Sequence, residues 1–157
     1  MNPVISQSNS SFKWFILATA TFVTMLYAMN VTIASIALSD MRGAMGATQD
    51  QISWVVTGNI VATAIFTPFA GWLSSRIQIR TILIFSVFGF IVASILCGLS
   101  NSLEEIVFAR VAQGIFGAPL PPLSQTLVLG AFPVKQRSLA MAIWGMGTIL
   151  GPVIAPT

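Results

Sequence analysis

The sequence predicts an all-α membrane protein, a bundle of helices crossing a bilayer, and three observations carry that prediction. Of 157 residues, 55% are hydrophobic and only 7% charged, at a mean hydropathy of +0.88, whereas soluble domains average about 25% charged residues. Seven basic and four acidic side chains cannot coat the surface that a core of this size leaves to water. The apolar residues also fall into five runs near or above about 20 residues, the helical length needed to cross about 30 Å of hydrocarbon. The connectors between the runs are short and strongly polar.

Taken in order, residues 1–13 form a polar tail rich in Ser and Asn, placed on the cytoplasmic side. Trp14–Leu38 is uncharged over 25 residues, too long for the apolar segment of a secretory signal, and reads as an uncleaved span. Ile52–Leu73, Thr81–Leu99, Ile106–Phe132 and Ser138–Thr157 follow, and Arg110 is the only charge inside any run. The tight connectors make successive helices antiparallel neighbours. With the N-terminus in the cytoplasm, the inner segments hold Lys13, Arg76, Arg80, Lys135 and Arg137, and the outer connectors hold only Arg42. That asymmetry sets the orientation. Asp40, Asp50, Glu104 and Glu105 all fall at the outer side. The fifth run reaches the chain end, so residues 14–157 are expected to be a partial N-terminal bundle of four complete helices and a truncated fifth.

Composition also excludes chemistry. There is no His and one Cys, which removes zinc sites, Ser-His-Asp hydrolysis and disulfide scaffolds, and no metal or cofactor is expected. The net charge of +3 is scattered among apolar runs and forms no nucleic-acid patch. Cys97, alone among apolar neighbours, reads as packing.

Arg110 stands about one turn into the fourth run. A charge costs roughly 2.5 to 3.5 kcal/mol at mid-bilayer, so it must face a hydrated path or a partner, or else snorkel outward. Gln113 and Gly114 follow at positions that add a second polar group and a close helix contact. Asn30, with Tyr27 a turn earlier, carries an amide that lipid cannot satisfy and should point inward. Thr21, Thr24, Ala28, Thr32 and Ser35 make a separate small, weakly polar stripe on the same helix, which implies a crowded position. In the fifth run Gly147, Gly151 and Ala155 recur every four residues, a seam for close backbone approach, with Pro152 and Pro156 beside it. Pro119, Pro121 and Pro122 should bend or loosen the fourth span. Phe12, Trp14, Phe15, Trp54 and Trp72 lie near span ends, as interfacial anchors do.

Several of these segments resemble one transporter family. Gly71-Trp72-Leu73-Ser74-Ser75-Arg76-Ile77-Gln78-Ile79-Arg80 resembles the major facilitator motif G-x-L-(A/S)-D-R-x-G-R-(K/R) in its glycine, leucine and two basic residues. Arg110-Val111-Ala112-Gln113-Gly114, followed by Gly117 and Ala118, is similar to that family's fourth-span segment R-x-x-Q-G-x-G-A/G. The stretch from Trp144 to Thr157 is similar to the antiporter motif of drug exporters. Met29 to Leu38, Pro121 to Gln125 and Phe132 to Arg137 resemble the fourteen-span drug:proton antiporter branch, the EmrB/QacA type. Asn30 and Ser75 stand where that branch usually has acids, Gln78 and Ile79 replace a Gly and an Arg, and Ala155 replaces a Gly.

The resemblance implies a major facilitator fold whose two six-helix halves rock about a central site. It implies proton-coupled efflux of drugs or other amphiphilic small molecules from the bacterial inner membrane, without catalysis. At this chain's spacing such a transporter needs roughly 400 to 460 residues, so a fragment is expected. Asn30, Arg110 and Gln113 would lie on the transport or proton-coupling path. Gly71, Ser75, Arg76 and Arg80 would form the gating connector. Gly114, Gly117, Gly147, Gly151, Pro152, Ala155 and Pro156 would serve packing and the antiporter motif. The partners implied are a small-molecule substrate, protons, the lipid bilayer and a periplasmic adaptor protein, with no nucleic acid. The alternatives are a metabolite carrier of the same fold and a non-transporting membrane scaffold.

Overall fold

An apolar chain in lipid can satisfy its peptide groups only within helices or a closed barrel. The computed structural model adopts the first solution over the residues it describes, 10–46 and 48–155. Six helices follow one another: α1 (Ser10–Met45), α2 (Gln49–Ser74), α3 (Ile79–Leu99), α4 (Leu103–Gly117), α5 (Leu120–Ala131) and α6 (Val134–Ile154). They make five segments long and apolar enough to cross a membrane: Ser11–Ala37, Gln49–Ser74, Ile79–Leu99, Leu103–Ala131 and Val134–Ile154.

Between α1 and α2, and at the start of α4, helix ends follow capping chemistry rather than the apolar boundaries. The stretch 39–51 reads as a connector by composition, yet α1 continues as helix to Met45 and α2 begins at Gln49. A helix leaving the hydrocarbon loses nothing by running on into water, and here it stops at Gly46, whose φ of 59° suits a residue without a side chain. Thr48 then opens α2 with a capping box. Its hydroxyl accepts from the Gln51 amide at 3.3 Å, and the Gln51 side chain accepts from the Thr48 N–H at 3.0 Å. Ser102 caps α4 with its hydroxyl, which accepts from the Glu105 N–H at 3.3 Å, while the Glu105 carboxylate accepts from the Asn101 N–H at 2.8 Å. Asp50, Glu104 and Glu105 occupy first turns, where carboxylates complement the helix dipole.

The fourth span is interrupted at Ala118 and Pro119, between α4 and α5. Pro121 and Pro122 at the start of α5 lack the donors that would continue the α4 ladder, which accounts for the break. Pro152, by contrast, sits inside α6 without ending it.

α1 packs against α6, α5 and, less extensively, α2, while α2 and α3 both pack on α4. The end carrying Lys13, Arg76, Arg80, Lys135 and Arg137, here termed the basic end, has its core in Leu17, Ala20, Val128, Phe132 and Ala140. At the opposite end Ile52, Val55 and Ile106 close the α2–α4 contact. Large apolar side chains such as Phe15, Ile84, Phe85, Phe88 and Phe108 project from the bundle, the inverse of a soluble surface. Phe12, Trp14, Trp54 and Trp72 are also exposed near helix ends, and Trp14 meets Phe132 edge-on at 5.6 Å.

Candidate functional site

Arg110 lies seven residues into α4, about 10 Å along the helix axis. It does not snorkel: only 8% of it is exposed. Its Nη1 donates to the Asn30 side-chain oxygen of α1 at 2.8 Å and to the Gln113 side-chain oxygen at 2.9 Å. Gln113, 1% exposed, passes the connection on through its Nε2 to the Ser94 hydroxyl of α3 at 2.8 Å, and Ser94 donates to the Phe90 carbonyl. The buried Asn59 of α2 donates to the Arg110 carbonyl at 3.0 Å. One polar node therefore ties α1, α2, α3 and α4 together.

This geometry follows from spacing. Arg110 and Gln113 are three residues apart and share a helix face. α1 and α4 cross the bilayer in opposite senses, which brings Asn30, late in its span, level with Arg110, early in its own. The partners of the guanidinium are neutral amide oxygens. Among the described residues its Nε is buried with no acceptor, so the cation is held by dipoles and keeps an unsatisfied donor.

Asn59, Thr63 and Ser94 join this node although the motif reading passes over them. Asn59 is an amide in mid-span, the same signal that singles out Asn30. Ser94 gives less warning, because a helical serine can satisfy itself on its own carbonyls.

Glycines set the spacing around the node. A side chain at Gly114 would meet the Asn59 carbonyl of α2 at 2.5 Å and the Ala62 Cβ at 2.8 Å, and one at Gly117 would meet the Tyr27 ring of α1 at 2.5 Å. In α6, Gly147 is pressed against Thr21, and a Cβ at Gly151 would lie 2.7 Å from the Met25 carbonyl. The α6 glycine stripe thus packs on the Thr21 side of α1, while Asn30 serves the node. Thr24, Thr32 and Ser35 satisfy their hydroxyls on Ala20, Ala28 and Val31 carbonyls of their own helix. Ala155 caps α6 half-buried, and Pro156 lies outside the described residues.

The connector expected to gate the molecule stands apart from the node, at the basic end. Gly71 faces open space. The Ser75 hydroxyl donates to the Trp72 carbonyl at 2.7 Å, and the Arg76 guanidinium lies 4.5 Å over the Trp72 ring. Arg80 is exposed beside Gln78.

Comparison with known proteins identifies the architecture. The model of the Major Facilitator Superfamily matches residues 20–157. The chain belongs to that superfamily. The match makes it a multi-pass membrane protein of a transporter family and not an enzyme. Its similarity extends to the multidrug export protein EmrB of Escherichia coli strain K12, 41% identical over 140 residues, which are 89% of this chain and 27% of that protein. The fatty acid resistance protein FarB of Neisseria gonorrhoeae is 35% identical over 147 residues, 94% of this chain and 29% of that protein. The colistin resistance protein EmrB of Acinetobacter baumannii is 32% identical over 144 residues, 92% of this chain and 28% of that protein. The chain therefore spans little more than a quarter of the length of these bacterial major facilitator relatives.

Proposed function

We propose that the full-length transporter to which this chain corresponds exports drugs or other amphiphilic small molecules across the bacterial inner membrane, in exchange for protons, by alternating access. The N-terminus and the basic end lie in the cytoplasm in this reading, as the charge asymmetry requires. The observation that carries it is the buried Arg110 guanidinium, held by Asn30 and Gln113 without a carboxylate among its hydrogen-bond partners. A cation in a low-dielectric bundle, satisfied by neutral dipoles and keeping a free donor at Nε, gains whenever a substrate acceptor or a carboxylate comes within reach. Such a group has differential affinity for two states, which alternating access requires.

The names of the relatives, which refer to multidrug export and to resistance to fatty acids and colistin, supply the substrate class. Proton coupling and a periplasmic adaptor enter from the resemblance to the drug:proton antiporter branch. The acids at Asp50, Glu104 and Glu105 sit in helix first turns, so none of these three is assigned the role of proton carrier.

The test is transport by the purified full-length protein in proteoliposomes under an imposed proton gradient. Gradient-driven movement of a lipophilic cationic drug, with matching proton release when drug is added, is the expected result. Flux of a hydrophilic metabolite alone would replace the reading with a metabolite carrier. Absence of any flux, with intact binding of a protein partner, would replace it with a scaffold.

A further inference from the structure

Between α1, α2 and α4 a small cavity adjoins the Arg110 node. Val31 and Ala34 of α1, Val55, Val56 and Asn59 of α2, and Arg110 of α4 line it. Its volume is about 10 Å³, and a cavity needs roughly 10 to 15 Å³ to hold one water. Size alone excludes a drug or a lipid chain. On this aliphatic wall the polar side chains are Arg110 and Asn59, each only 8% exposed. Both have one group engaged and one left over. Arg110 commits its Nη1 to Asn30 and Gln113, and among the described residues its Nε has no acceptor. Asn59 donates through its side-chain nitrogen to the Arg110 carbonyl, which leaves its side-chain oxygen to accept. A buried cationic N–H left bare carries its full desolvation cost, and lipid offers it no substitute.

We propose that this cavity is a binding site for a single water, which accepts from the Arg110 Nε–H and donates to the Asn59 side-chain oxygen. An apolar cavity of the same size would stay dry, but this one offers a donor and an acceptor, the two partners that a buried water requires. A halide would be drawn to the guanidinium and repelled by the Asn59 oxygen, whereas water serves both. The bridge ties Arg110 to α2 twice, directly at its carbonyl and through the water at its guanidinium. The assignment rests on the packing of three helices of this chain and stands apart from the transport reading. Within that reading, an arriving acceptor displaces a water instead of meeting a bare N–H.

The experiment is hydroxyl-radical footprinting of the full-length protein in detergent by X-ray pulse, in which a water held against a side chain is the local source of radical. Val55, 0% exposed, lines the cavity, whereas Ile52, 1% exposed and three residues earlier, does not. Labelling of Val55 several times that of Ile52 is expected. Ala34→Val fills the cavity and should abolish the labelling of Val55, and Val31→Ile is the milder filling should the first variant fail to fold. Val55 labelled no more than Ile52, or labelled as strongly in the filled variants, would overturn the proposal. A melting temperature raised by chloride and not by gluconate would overturn it too, by placing an anion where the water is assigned.

Discussion

Among the helix pairs that approach through glycine, α2 with α4 and α1 with α6 are finished differently. In both the contacts advance together along the two chains, so the helices run parallel: Asn59 and Thr63 meet Arg110 and Gly114, and Thr21 and Met25 meet Gly147 and Gly151. The α2–α4 pair is joined by hydrogen bonds. Asn59 donates to the Arg110 carbonyl at 3.0 Å, and Thr63 donates to the Asn59 carbonyl at 2.9 Å and, at 3.4 Å, to the Gly114 carbonyl. The α1–α6 pair is steric: among the described residues the Thr21 hydroxyl and the Trp144 indole N–H are buried there without a partner. Close packing alone resists separation but offers little resistance to sliding, whereas directional bonds fix register. The Arg110 node thus rests on a fixed register, and the α6 glycine stripe is the looser contact.

This contrast can be broken by substitution. Gly114→Leu should have the largest effect, because its branched side chain would collide with the Asn59 carbonyl and Ala62 together. Loss of a monodisperse peak in detergent chromatography is expected. Gly151→Ala places one methyl against the Met25 carbonyl and should cost about 1 to 3 kcal/mol of overpacking, read as a lowered melting temperature. Asn59→Ala removes one buried interhelical hydrogen bond, while the Arg110 carbonyl keeps its partner within α4, a loss of about 1 kcal/mol in the same melt. Thr21→Val should be the mildest, neutral or stabilising by up to about 1 kcal/mol, since it deletes a hydroxyl that has no partner. If Thr21→Val destabilises more than Asn59→Ala, the contrast between the two contacts is wrong.

The spans were legible because hydropathy and charge act over tens of residues. Asn30, Arg110 and Gln113 stood out for the same reason, as polar atoms in runs where lipid offers no partner. Asn59 carried the same signal, but the motifs drew attention to the fourth span instead. What composition could not supply was pairing. Spacing at Gly147 and Gly151 announces a close contact without saying that Thr21 and Met25 fill it, because several helices offer a complementary face. The helix ends were misplaced near Met45 and Gln49 because Gly46 and the Thr48 cap, rather than the edge of the apolar run, decide where helix stops and restarts.

Transport itself decides whether the node at Arg110 is machinery or only structural glue. Drug-driven proton movement should be measured in proteoliposomes for the full-length protein and for Arg110→Ala, with melting temperature and membrane insertion recorded alongside. Exchange abolished in a variant that still inserts and folds is the expected outcome. Exchange at the unsubstituted rate would remove Arg110 and its Asn30 and Gln113 partners from the mechanism.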